Sequence, residues 1–434
     1  MKNQFRIEHL GRTLKERLGI WQGNKINVST PSLWLTSQGG AIPNLTPETI
    51  QYLTPDSKFA GILVPFQYHI RDVEVLEKFK KGFDIFMGLS DNEWNILVAP
   101  QDPGIDHRQG YHTNKDISLW DATGNRFPVN FSLYNRGLQS MIPDAFVSLC
   151  DGETPYTCPK KRVAKASAKS LQFLDQHLEH ICKTENSDKN FGESCMLQRK
   201  SCIFGAIEGG YDIELRRTSA KQVSERPVDG FFLDGFSLTV EESVNLEYEK
   251  YFKELINEAV IPNLPEDKPR LFLGICTPKN LLKLVASGID MFDSSYARYA
   301  TDQGRALVFL NTLSCLEKNS NGHLNESLVT SKNDQEYAEH EPESKSQCSA
   351  ESSDTIDLND VKFKNDFRPI CDTCTCYTCR KHTRAYINHL LTTQEMLAPV
   401  LLTLHNLHHY ATFFDTIRRS IQSDKFEKLL EIFE

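Results

Sequence analysis

Ser201-Cys-Ile-Phe-Gly-Ala-Ile-Glu208-Gly-Gly210 runs an apolar stretch straight into an acid and a glycine pair. Between Cys202 and Ile207 no polar residue alternates with the apolar ones, so this strand must be covered on both faces. The same short, β-rich runs recur at Ala60–Phe66, Asn95–Ala99, Ala145–Leu149, Gly230–Leu233, Arg270–Ile275 and Ala306–Leu310. Between the later runs lie segments of helical period, Lys160 to Leu178 and Glu241 to Ala259. Buried strands alternating with helices imply parallel pairing and an α/β architecture. The expected fold is a (β/α)8 TIM barrel, with a doubly wound sheet as the competing topology. The Gly-rich phosphate fingerprints of nucleotide-binding sheets are absent, and no fixed-period repeat is visible.

Composition agrees with a globular chain. Of 434 residues, 39% are hydrophobic and 25% charged, which excludes collagen, coiled coil and wholesale disorder. No stretch approaches the ~20 apolar residues of a membrane helix, and the opening Met1-Lys-Asn-Gln-Phe lacks a secretory apolar core. The expected compartment is the cytoplasm, where the 12 cysteines serve as thiols or metal ligands. The net charge of −9 argues against a polyanionic partner until it is located. Residues 316–360 hold 11 acids and 3 lysines, so the remainder, with 46 bases against 47 acids, is nearly neutral. The expected organisation is a barrel over 1–315, an acidic disordered insertion over 316–360, and a C-terminal part over 361–434 that binds zinc and completes the barrel.

In a barrel of this kind reactive groups lie beyond the C-terminal ends of the strands. Asp151, Glu208 with Gly209 and Gly210, Asp234 and Asp293 all occupy such positions and are expected to converge on one mouth. Convergent carboxylates suit chemistry at a positive centre such as an oxocarbenium carbon.

The tail carries Cys371-Asp-Thr-Cys374-Thr-Cys376-Tyr-Thr-Cys379, followed by a histidine-bearing helix. Cys374, Cys376 and Cys379 with His405 would form a closed Cys3His tetrahedron for Zn2+, structural because no position stays open. Cys371 is a substitute thiolate, and His408 or His409 a substitute imidazole. A catalytic metallohydrolase site is disfavoured, since no His-x-His pair follows the early strands.

A C-x-C-x2-C-x25-H cluster behind such a barrel resembles the tRNA-guanine transglycosylase family, which exchanges a guanine in tRNA for a queuine-type base. Thr30-Pro31, Gly39-Gly40 and Leu45-Thr46-Pro47 are similar to the family's opening motif. Asp151-Gly-Glu-Thr154-Pro155-Tyr156 resembles D-E-C-T-P-Y, whose acid reads the base, and Phe204 to Gly210 resembles F-G-I-V-Q-G-G. Gly288-Ile-Asp290-Met-Phe292-Asp293 is similar to G-V-D-M-F-D, whose last aspartate attacks the ribose.

The departures from that pattern are concentrated in the pocket. The family's D-S-G-G-[FY]-Q is missing, and Asp102-Pro-Gly104 offers no glycine pair in its place. Ser294-Ser-Tyr-Ala-Arg298-Tyr299 replaces C-V-x-P-T-R, Glu208 replaces a glutamine, and Asp234-Gly235-Phe236 stands where the family has a glycine pair. The resemblance therefore implies a non-catalytic member, with Asp293 a vestigial nucleophile and Asp151, Glu208, Gly209, Gly210 and Asp234 a vestigial base pocket. Such a member would pair with a catalytic homologue as a heterodimer and support exchange at the anticodon wobble position. The alternatives are an enzyme active through Asp293 and a homodimer.

Arg380, Lys381 and Arg384, beside the metal cluster, are the first-choice tRNA contacts; Lys160–Lys169, Arg199-Lys200 and Arg216-Arg217 are further clusters. The last helix, with Leu397, Leu401, Leu404, Tyr410, Phe413 and Phe414, is expected to pack inward. Peripheral attachment to the mitochondrial outer membrane is implied by the resemblance alone.

Overall fold

Eight parallel strands close into a barrel in chain order: Ser32–Thr36, Gly61–Pro65, Ile96–Ala99, Ala145–Val147, Cys202–Ile207, Gly230–Leu233, Arg270–Leu271 and Met291–Asp293, the last pairing with the first. The computed structural model describes residues 5–310 and 354–433, except 13, 54–58, 90–93, 107–112, 114, 188–200, 237 and 246. Continuous hydrophobicity is explained by two cores. Trp34, Leu63, Leu97, Val147, Phe204, Phe232 and Met291 fill the interior, while Leu35, Val64, Val98, Ile203 and Ile207 face the helices. At ~1.5–3 kcal/mol per buried large apolar side chain, this two-sided burial is what holds short strands in register.

The N-terminal antiparallel sheet of Phe5–Leu10, Arg17–Gln22 and Asn27–Thr30 closes the end opposite the mouth. Phe5, Trp21 and Val28 join the interior core, and Arg17 donates to both Asp290 oxygens, at 2.8 and 2.6 Å, just before the eighth strand.

Two expected elements differ. Arg305–Leu307 is not a barrel strand but pairs antiparallel with Thr355–Asp357, outside the barrel. Those partners fall in the acidic stretch expected to be disordered to residue 360; the expectation fails at 354–360, where Leu358 is fully buried. Residues 316–353 of that stretch lie outside the described residues. The segment expected as one helix from Glu241 breaks into Val240–Val244, Tyr248–Tyr251 and a π turn at Leu255–Val260. Conversely, Lys160–Ser187 is a single helix of 28 residues, longer than its apolar stripe suggests.

The C-terminal helix Leu397–Gln422 packs against Ser295–Asp302, burying Leu401, Leu404, Tyr410, Phe413 and Phe414, whereas Leu397 stays 40% exposed at its start. Asn406 ties the two parts together. Its Nδ2 donates to Thr301 Oγ1 and Arg305 O at 2.9 and 3.0 Å, and its Oδ1 accepts from Leu307 N at 2.8 Å.

Candidate functional site

Asp293 ends the eighth strand and is buried, 2% exposed. Its Oδ1 accepts from Gly274 N at 2.8 Å; its Oδ2 accepts from Thr36 Oγ1 at 2.9 Å, Ser295 N at 3.2 Å and the Ser295 hydroxyl. Burial raises its carboxyl to about 6, against the pull of these donors, with Asp102 adding a smaller push upward. Both oxygens of the residue in the nucleophile position are thus engaged by the chain itself.

Asp102 faces the same mouth and is fully buried. Its Oδ2 accepts from Arg298 Nη1 at 2.7 Å and Tyr68 OH at 2.6 Å, and its Oδ1 from Gly104 N at 2.9 Å. Arg298 belongs to the segment that departs from the family pattern, so that departure supplies the counter-ion that occupies Asp102. Neither Arg298 nor Tyr68 was among the sequence candidates. The pairing spans 196 positions and leaves no local signal.

The remaining mouth carboxylates fall into two groups. Asp151 accepts from Arg162 at 2.6 Å and lies 3.5 Å from Lys169 Nζ, which places it in a closed ion-pair network. Glu208 and Asp234 come together with Cys150, one donor atom of each lying within 4.8 Å of the others. Beneath them Arg216 is fully buried, its Nε bonded to Gly210 O and its Nη1 to Ile207 O, with the guanidinium 3.8 Å from the Phe236 ring centroid. Burial first, and Asp234 second, push the Glu208 carboxyl well above the usual range. Gly235 is required here: its φ is 75°, and a Cβ would come 2.1 Å from Glu208 Oε2. Gly209 and Gly210 also hold positive φ, but a Cβ at Gly209 would meet the backbone of Leu215 and Arg216, so the pair shapes the turn into the next helix. A cavity of about 100 Å³ opens beside these groups, lined by Cys150, Asp234 and the rings of Phe232, Phe236, Phe252 and Phe272. Phe236 puts its ring on the wall of this cavity.

The tail brings Cys374, Cys376, Cys379 and His405 together. The three sulfurs lie 3.8, 3.5 and 3.3 Å from His405 Nδ1. A tetrahedron with Zn–S ~2.3 Å and Zn–N ~2.0 Å has an S–N edge of about 3.5 Å, so the four donors fit that ion. His405 Nε2 donates to Leu307 O at 2.8 Å, which leaves Nδ1 bare as the ligand atom. Cys376 caps the helix Tyr377–Lys381, its sulfur accepting from Cys379 N at 3.3 Å. Cys371 groups with His405 and His409 rather than with the three thiols, its sulfur donating to Leu307 O at 3.9 Å, and His409 Nε2 accepts from Leu310 N at 3.2 Å. His408 is not one of the four.

The basic residues divide by burial. Arg380 and Lys381 are exposed. Arg384 is committed to the fold, donating to Asp366 at 3.1 Å and to Ile370 O at 2.7 Å. Lys169 and Arg216 are buried and thus unavailable to a polyanion, Lys160 is paired with Asp212 at 2.7 Å, and Arg199-Lys200 lies outside the described residues. Beside Arg380 runs an aromatic row that sequence reading missed: Tyr377 packs on Tyr52 at 5.0 Å, and His382 stacks on Tyr386 at 5.3 Å and 16°. Among the described residues no helix is long and apolar enough to cross a membrane.

Comparison with known proteins adds a family model described as queuine tRNA-ribosyltransferase, which matches residues 13–434. The chain is 33% identical to a Gallus gallus protein named queuine tRNA-ribosyltransferase accessory subunit 2, over 97% of this chain and 94% of that one. Proteins of the same name from Ixodes scapularis and Homo sapiens are 34% and 33% identical, covering 90% and 98% of this chain and 89% and 95% of theirs.

Proposed function

Because the chain belongs to the queuine tRNA-ribosyltransferase family, the tRNA-guanine transglycosylases, we propose that it is a catalytically silent member, the accessory subunit of a heterodimer whose other chain exchanges guanine for queuine at the tRNA wobble position. The observation that carries this reading is the occupancy of the mouth. Asp293 is bonded through both oxygens and Asp102 is neutralised by Arg298, so neither is poised for nucleophilic or general-acid work.

Zn2+ in the Cys374, Cys376, Cys379 and His405 set would fix the tail against the barrel, a structural role consistent with four protein donors. Arg380 and Lys381 would meet tRNA phosphates, and the aromatic row beside them would offer faces for unpaired bases. Cytoplasmic residence rests on composition, and peripheral attachment at the mitochondrial outer membrane on the family resemblance alone.

The test is co-purification with a catalytic homologue, followed by incorporation of labelled guanine into tRNA by each chain separately and by the pair. Turnover should require the partner and should persist when this chain carries Asp293→Asn. Steady exchange by this chain alone, abolished by Asp293→Asn, would establish the second reading, an active enzyme. That reading is favoured only by the position of Asp293 at its strand end.

A further inference from the structure

Cys150, Glu208 and Asp234 are not used by the proposed function, and their environment is incomplete. Glu208 is 0% exposed, yet its Oε2 accepts no hydrogen bond; its Oε1 has only the Ser170 hydroxyl, at 3.5 Å. The bare oxygen points at the Asp234–Gly235 turn. Asp234 in turn receives the Cys150 thiol at 3.1 Å. Two neighbouring carboxylates with no donor between them need a positive charge there, which is either a shared proton or a metal ion. Arg216 supplies one charge, which pulls the Glu208 carboxyl down against burial, but bonds to neither carboxylate: its Nε and Nη1 go to backbone carbonyls, its buried Nη2 has no partner, and its face lies on Phe236.

We propose that Cys150, Glu208 and Asp234 form a second divalent-metal site, with three protein ligands and a fourth position open to the mouth cavity. One sulfur and two carboxylate oxygens suit a borderline ion such as Zn2+ rather than Mg2+ or Ca2+. Charge balance agrees. A thiolate, two carboxylates and the Arg216 guanidinium sum to −2, which a divalent ion cancels. Without the ion, burial disfavours the thiolate of Cys150 and the carboxylate of Glu208, so loading should release protons to solvent. The cavity of about 100 Å³, lined by Cys150 and Asp234, has room for a water or a small ligand atom on the open side. The inference stands apart from the catalytic silence proposed above, and its test reads metal content rather than exchange.

The full chain is equilibrated with Zn2+, freed of loose metal by gel filtration and analysed for elemental zinc, in parallel with Cys150→Ser and Glu208→Gln. Wild type should retain one more zinc per chain than either variant, whatever the contribution of the C-terminal cluster. The Co2+-loaded wild type should show thiolate charge-transfer absorption that Cys150→Ser reduces. Glu208→Gln places an amide donor against Asp234 and so mimics the shared proton, which favours a folded control. Equal zinc in all three chains overturns the proposal and leaves the proton as the bridge. Should the variants fail to fold, zinc-edge anomalous diffraction from wild-type crystals decides. A peak among the three side chains supports the site, and its absence overturns it.

Discussion

Arg298 and Asp102 pair across the mouth of the barrel. The side chains are 13% and 0% exposed and meet at 2.7 Å, so removing one partner strands a buried charge. Arg298→Ala is expected to cost about 3–5 kcal/mol by urea denaturation, and Asp102→Asn introduced with it should recover much of that loss. Asp293 gives a pH signature. Its folded value of about 6 lies above the unfolded ~3.9, so its contribution is fully present below about pH 4 and is lost as pH rises through 6. The difference is worth about 3 kcal/mol, and Asp293→Asn should flatten the stability curve between pH 4 and 6 by that share. Asp151, Glu208, Asp234 and Asp293 were legible as strand-end acids because a barrel directs such positions to one mouth. The partners of Asp293 and Asp102 were not, since Thr36 and Gly274 reach the first, and Arg298 and Tyr68 the second, only after closure.

Legibility at the element scale followed length and composition. Cys202–Ile207 declares itself by six buried residues in a row, whereas Ser32–Thr36 escaped because serine and threonine end it and its burial comes from the neighbouring strands. Arg305–Leu307 misled in the opposite sense: its apolar run is buried by the tail rather than by barrel neighbours. The metal cluster was readable because thiol spacing is a local property, while the choice of His405 over His408 and His409 depended on which helix face meets Leu307. The segment from Cys374 to Cys379 is linked to Leu397–Gln422 through those donors, the bond from Thr378 Oγ1 to Leu401 O at 2.7 Å and apolar packing on Ala398, Leu401 and Leu402. Chelation, or Cys376→Ser, should therefore speed amide exchange across 371–392 by orders of magnitude while leaving exchange in 202–207 and 230–233 unchanged, as read by mass spectrometry.

Of the basic candidates among the described residues, Lys169 and Arg216 are interior and Arg384 is held by Asp366. If Arg380 and Lys381 meet phosphates in the assembled heterodimer, Lys381→Ala and Arg380→Ala should each lower the log–log salt slope of tRNA binding by about 1, and Arg384→Ala should act on stability instead. The antiparallel rungs between Arg305–Leu307 and Thr355–Asp357 fasten both flanks of the long acidic segment side by side. With both flanks held side by side, lengthening the connection between them should add merely the slow logarithmic penalty of a larger loop. An affinity tag or a fluorescent protein spliced between those flanks should therefore leave the paired strands on either side intact.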